Sequence, residues 1–356
     1  MIFFLFVLIL IIFCSAKAEK ANEFNREYIT RDSTNVIKGI FVILIFLSHS
    51  KQYLSLGGVF DETYLAFQNH LHQMVVVMFL FYSGYGIMEQ IKKREFAYIK
   101  TIPQKRFPNL LINYDIAILL FAVMRLCLGI KTTPKQVLIA FTGWTSISNS
   151  NWYIFIILAL YIVTFIAFFG IKWFNKRWHQ AVYLIILTAL SLVFMYLMRN
   201  VFEKESRWYN TVLCYALGFW YSFFKETIEK IMMKNDIIYL IVFAGLTTAY
   251  IYTYLHRDDR FIYYGLWSFA FTILTVFITM KVKFDSNILK WFGEHIFSVY
   301  ILQRIPMTIL DHFGVADRHK YIFLIVSLAV TCAMAALFDY LTGLLSKAIW
   351  KPKKKA

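Results

Sequence analysis

Apolar stretches return along the whole chain, each separated from the next by a short polar or charged segment. Each is about 17–25 residues long, enough to cross a hydrocarbon core of about 30 Å. The pattern predicts spans at residues 1–16, 36–56, 71–88, 107–130, 152–170, 181–201, 209–224, 237–255, 261–280, 288–312 and 321–346. Membrane-crossing strands are about ten residues long and alternate in polarity, and these runs do neither. Backbone polar groups in lipid must also be satisfied within the segment, so the spans are expected to be helices. The expected fold class is all-α, a polytopic transmembrane helix bundle of about eleven spans. It divides into an N-terminal helix (1–16), a linker (17–35), a ten-helix membrane domain (36–346) and a basic tail (347–356). No repeat period, Pro-rich tract or long polar linker interrupts it.

Composition agrees. The chain is 60% hydrophobic and 16% charged, against about 45–50% and about 25% for a soluble domain. The net charge of +16 would suit a nucleic-acid binder, but it sits in the short segments between apolar runs. There it orients helices and meets anionic head groups, so membrane lipids, and no nucleic acid, are the expected partners. Segments 17–35, 89–106, 171–180, 225–236, 281–290 and the tail after 346 hold 24 Lys and Arg, and the intervening segments hold 8. This alternation predicts a multi-pass protein of the cell (plasma or inner) membrane, N-terminus outside and C-terminus cytoplasmic. The first run ends in Ala16-Lys17-Ala18, which resembles a leader-cleavage site. No basic residue precedes it, however, and cleavage would leave the basic 17–35 segment outside, so a retained span is expected. The four cysteines lie in or beside apolar runs, with no disulfide framework.

Residues that are expensive in lipid mark candidate chemistry. The second predicted span carries Lys38 and His49, with ten residues between them. Eleven helical steps return to nearly the same face, about 16 Å along the axis. One face therefore presents a cation near one boundary and an imidazole about halfway across. The cation can hold a phosphate, and the imidazole can take a proton from a hydroxyl. The competing explanation is a snorkelling lysine and a helix-bridging histidine.

Other segments add to this pair. Phe79-Leu80-Phe81-Tyr82-Ser83-Gly84-Tyr85-Gly86 lies on the third span, Lys105-Arg106-Phe107-Pro108 ends a basic loop, Asn151-Trp152-Tyr153 opens the fifth, and Gly293, Ser298, Tyr300 and Gln303 lie on the tenth. In this order the motifs resemble the acyltransferase-3 family of integral membrane O-acyltransferases, which modify cell-surface polysaccharides, lipopolysaccharide and peptidoglycan. The resemblance covers residues 31–346 and leaves the first span outside the ten-helix core. The chain departs from the family in three places. Lys38 stands where Arg is usual, keeping the charge without the bidentate fork. Lys105 and Arg106 are adjacent, so either can match the family's loop arginine. Gln303 stands where His is common, and it cannot titrate.

The resemblance implies a cytoplasmic acyl-CoA donor, most often acetyl-CoA, used as a substrate with no permanently bound cofactor. The acceptor would be a hydroxyl of a surface polysaccharide or lipid-linked oligosaccharide. Lys38, Lys105 and Arg106 would bind the donor's phosphates. His49 would be the catalytic group, as general base or as acyl carrier. Ser83, Asn151, Trp152, Tyr300 and Gln303 would line the substrate path. Each has a plainer role: Ser83 and its glycines can serve close packing, and Trp152 can anchor at the interface. Glu294 can orient a catalytic group or be an interfacial carboxylate. Asp115, Arg125 and Asp339 are expected to form a helix-to-helix ion pair. His70 and His72 are expected in solvent. No metal-ligand spacing or phosphate loop is present. A transporter or flippase of lipid-linked sugars is the alternative class, but the two similar halves common in transporters are absent. A polymerase would be expected to have a larger outer loop.

Overall fold

The computed structural model describes residues 1–174 and 176–350. The chain is an all-α multi-pass membrane bundle. Its first helix, α1 (Ile2–Ser15), is apolar throughout and runs into the short strand β1 (Ala16–Ala18). The long α2 (Arg31–Ser50) follows, and Thr30 caps it by accepting from the Ser33 amide. Next come α3 (Val59–Leu71), α4 (Met74–Ile99), α5 (Phe107–Cys127) and α6 (Pro134–Ala140). Then come α7 (Trp152–Phe168), α8 (Arg177–Tyr196), α9 (Leu213–Met232), α10 (Asp236–Leu255) and α11 (Phe261–Lys281). After strand β2 (Val282–Phe284), the chain ends in α12 (Asn287–Glu294), α13 (Ile296–Leu302), α14 (Arg304–His312), α15 (Val315–Arg318) and α16 (Lys320–Ile349). Among the described residues, eight helical segments are long and apolar enough to cross a membrane. The basic tail after Trp350 lies outside the described residues.

Several elements differ from the hydropathy reading. The segment 17–35 is more than a linker. β1 pairs antiparallel with β2, Ala16 opposite Phe284, and Arg31–Asn35 already form the first turns of α2. α2 ends at Ser50, so His49 sits in its last turn rather than halfway along it. The stretch expected as a loop at 57–70 contains α3, which buries Asp61, Tyr64, Gln68 and Leu71 along one face. Two of these four, Asp61 and Gln68, are polar, so an apolar-periodicity search passes over the helix;. Lys320 ties α3 to α16 through Asp61 at 2.7 Å. The single span expected at 288–312 is three short helices. Pro306 contributes to the second break, because it lacks the N–H that would bond the Leu302 carbonyl.

Two close crossings organise the core. A Cβ on Gly84 of α4 would collide with the Tyr215 carbonyl of α9, and one on Gly218 would collide with the Phe81 carbonyl. Gly39 of α2 and Gly293 of α12 likewise lie against the backbone at Leu289 and Asn35. Without a hydrophobic drive between helices in lipid, such small-residue contacts supply packing. Polar contacts sort the loops to two ends. At one end, Lys281 bonds the Lys20 and Glu23 carbonyls, and Lys290 pairs with Asp32 at 2.7 Å. At the other, Arg304 reaches Gln52 and Ser150, and Gln73 reaches Ser206.

Candidate functional site

α2 and α4 run antiparallel, so residues far apart in sequence share each level of the bundle. His49 is partly exposed, yet its Nδ1 is buried without a hydrogen-bond partner. Its ring lies 6.1 Å from that of Tyr300 on α13, which lies 5.7 Å from Tyr153 on α7. The Tyr300 hydroxyl is also unpartnered. Gln303 is fully buried; its Nε2 donates to the Tyr300 carbonyl at 3.0 Å, while its Oε1 has no partner. Buried polar atoms normally find partners, so unpaired ones gathered on facing helices mark a place built to meet a ligand or water.

A cavity of about 200 Å³ begins at Tyr300 and Tyr153 and extends along α4 and α7 past Phe79 to Ser83 and Tyr161. Its lining is mostly apolar. Tyr161 at its far side carries the Arg106 guanidinium over its ring, 5.3 Å from the centroid. Arg106 also donates to the Tyr98 hydroxyl at 2.5 Å. Its inward position follows from local backbone. Ile102–Arg106 form a π-helical turn closed by the Phe107 amide on the Ile102 carbonyl, which inserts one extra residue into the helical path;. The adjacent Lys105 is exposed. Lys38 is partly buried, donates to Asn35 Oδ1 at 3.1 Å and lies 5.9 Å from the Tyr82 ring.

On the other side of His49 lies a polar cavity of about 290 Å³, lined by Ser48, Lys51, Gln68, His72, Gln73 and Arg207 among others. Gln73 belongs to this cavity, while Val76, Phe79 and Ser83 of the same helical stretch belong to the apolar one. The wall carrying Arg207 is anchored by Lys204, whose ammonium sits over Trp144 at 3.7 Å and Trp208 at 4.7 Å. Partial burial there lowers the Lys204 pKa from its ordinary value.

The predicted site residues therefore separate. His49, Tyr300 and Gln303 gather at one level, Ser83 lines the cavity beside them, and Lys38 and Arg106 lie toward the opposite end. Asn151 is buried, and its Nδ2 donates to the Gly143 carbonyl at 2.7 Å, closing a loop that turns on Gly143 at φ 74°. Trp152 stacks edge-on against Tyr153. Asp115, Arg125 and Asp339 form no ion pair with one another. Arg125 binds Thr132, Ser148 and the Lys131 carbonyl, and Asp115 Oδ1 is unpartnered. Asp339 instead accepts from Ser298 and lies 2.5 Å from His295 Nδ1, so His295 rather than Glu294 is the engaged side chain. His70 and His72 are not simply solvated: they bond the Tyr250 and Tyr264 hydroxyls at 2.8 and 2.9 Å. Hydropathy also passed over Arg304, which binds Ser150, Tyr53 and Gln52 through three nitrogens. An arginine inside an apolar run was the signal for it.

A family model described as an acyltransferase domain matches residues 31–344. No curated protein and no solved structure matches the chain.

Proposed function

Starting from the fact that the chain belongs to the acyltransferase-3 family and is a membrane acyltransferase, we propose that it transfers an acetyl group from acetyl-CoA to a hydroxyl of a surface glycan. In this reading the donor sits at the end of the bundle that carries Lys38 and Arg106, and that end faces the cytoplasm. The charge alternation of the loops supports this orientation. The two cations meet the donor's phosphates, with Lys105 at the rim. The thioester arm follows the apolar cavity past Ser83 toward Tyr300. The acceptor hydroxyl approaches from the opposite, extracytoplasmic end. His49 removes its proton as the oxygen attacks the thioester carbonyl. The new C–O bond forms, the C–S bond breaks, and the leaving thiolate takes up the proton. Proximity does much of the work, because both substrates are held against one imidazole.

One observation carries the reading: His49 follows Ser48, which lines the polar cavity, and its ring lies 6.1 Å from that of Tyr300, which lines the apolar one. Gln303 lies where a titratable group is common in the family, which leaves proton transfer to His49. The test is purified protein in proteoliposomes, supplied with labelled acetyl-CoA on one side and glycan fragments on the other. Label should appear as an alkali-labile ester on the glycan, and only when donor and acceptor are on opposite sides. Ester formation with both substrates on the acceptor side alone would refute the proposed path.

A further inference from the structure

The polar cavity beyond His49 has a charge asymmetry that the transfer reaction does not require. Lys51 lines it, and among the described residues no hydrogen bond or ion pair engages its ammonium. Arg207 lines it too and pairs with Glu205 at 2.8 Å, but that carboxylate is 69% exposed at the rim. Arg304, outside the cavity's lining, bonds only neutral partners among the described residues: Ser150 at 2.9 Å, Gln52 at 2.8 Å and Tyr53 at 3.4 Å. Two lining cations, Lys51 and Arg207, thus stand beside one exposed lining carboxylate. Neutral hydrogen-bonding groups stand among them. Gln73 is buried with its Oε1 unpartnered, and Gln68 is buried one turn from the Tyr64 hydroxyl. Amides of this kind pair with sugar hydroxyls, and paired cations recognise an oxyanion. At about 290 Å³ the cavity is close to the smallest ligand sites, about 300 Å³.

We propose that this cavity is the acceptor site and that it selects an anionic glycan, with Lys51 and Arg207 holding the negative group and Gln68 and Gln73 the hydroxyls. The inference rests on the acyl-transfer reading above and names its acceptor class. Lys51 lacks a carboxylate partner, and the one carboxylate paired with Arg207 is exposed, so an incoming oxyanion adds a pairing to both cations. A neutral sugar would add none. A carboxylate and a phosphodiester offer the same anionic oxygens, and the probes below distinguish them.

Binding is the test, because it does not depend on transfer. Three fluorescent probes of equal length are titrated against the full-length protein in nanodiscs: an oligouronide, a glycerol-phosphate oligomer and a neutral glucan. At least one anionic probe should bind about tenfold more tightly than the glucan, and its affinity should fall with salt. The tighter of the two identifies the oxyanion. Lys51→Gln and Arg207→Gln should each remove most of that preference, while His49→Gln should keep it. Equal binding of all three probes, no binding of any, or indifference to Lys51 and Arg207 would overturn the proposal. Selective anionic binding without ester formation would instead count against the transfer reading.

Discussion

At the scale of single residues, the proposed transfer turns on His49 and Arg106. A general base contributes about 10²–10⁴-fold in rate. His49→Ala and His49→Gln should both lose that factor, because an amide hydrogen-bonds but takes no proton. Acyl transfer from labelled acetyl-CoA, normalised to protein amount in the membrane, measures it; near-normal transfer by His49→Gln would return His49 to a packing role. For the donor, the π-helical turn separates two adjacent cations. Arg106→Ala should raise the KM for acetyl-CoA about ten- to a hundredfold, in line with about 1.5–3 kcal/mol for a hydrogen bond to a charged group. Lys105→Ala, at an exposed position, should change it little, and Lys38→Arg should retain activity. Equal effects of Arg106→Ala and Lys105→Ala would contradict the inward placement of Arg106.

At the scale of elements, the motif glycines have a mechanical task. Gly84 and Gly218 let α4 and α9 meet backbone to backbone, and Gly39 and Gly293 do the same for α2 and α12. Gly218→Val should force these helices apart, at about 1–3 kcal/mol or more. Thermal unfolding in detergent should show a lower Tm, whereas Gly245→Ala, with open space around it, should leave Tm nearly unchanged. A Gly218→Val protein as stable as the parent would mean that the crossing tolerates separation. The second device is Asp339, which accepts from Ser298 and engages His295. It ties α16 to the broken helix that presents Tyr300. Asp339→Ala would leave two polar partners unpaired, at about 1–3 kcal/mol each. Transfer should fall through misplacement of Tyr300 while acetyl-CoA KM stays near normal; an unchanged rate would show that α13 needs no such tie.

At the scale of the whole molecule, polar contacts gather segments 17–35 and 281–290 at one end of the bundle. Others gather the 50–73, 148–151 and 204–207 segments at the opposite end. In the proposed transfer, donor and acceptor approach from these two ends, so orientation decides its direction. Single cysteines at Lys93 and at Glu62, in a chain whose native cysteines are replaced, report it. A membrane-impermeant maleimide added to intact cells should label the Glu62 position and spare Lys93. Labelling at Lys93 would reverse the bundle and place the donor outside.

The apolar runs were sufficient to establish an all-α membrane protein, because a lipid-spanning backbone must satisfy itself locally and leaves a long hydrophobic signature. The motif order was sufficient for the family, and the Lys38–His49 spacing for one face of one helix, since both are properties of neighbouring positions in the chain. Other features needed the folded molecule. α3 buries two polar residues, Asp61 and Gln68, along the face that an apolar pattern would have to mark. The broken helix at 287–312 reads as continuous because its residues are apolar throughout most of its length. The His295–Asp339–Ser298 cluster and the Arg304 contacts join residues 40 to more than 200 positions apart. Which of Lys105 and Arg106 turns inward depends on one extra residue in a helical turn. Local pattern records what each segment must bury; which side chains then face one another is decided only when helices cross.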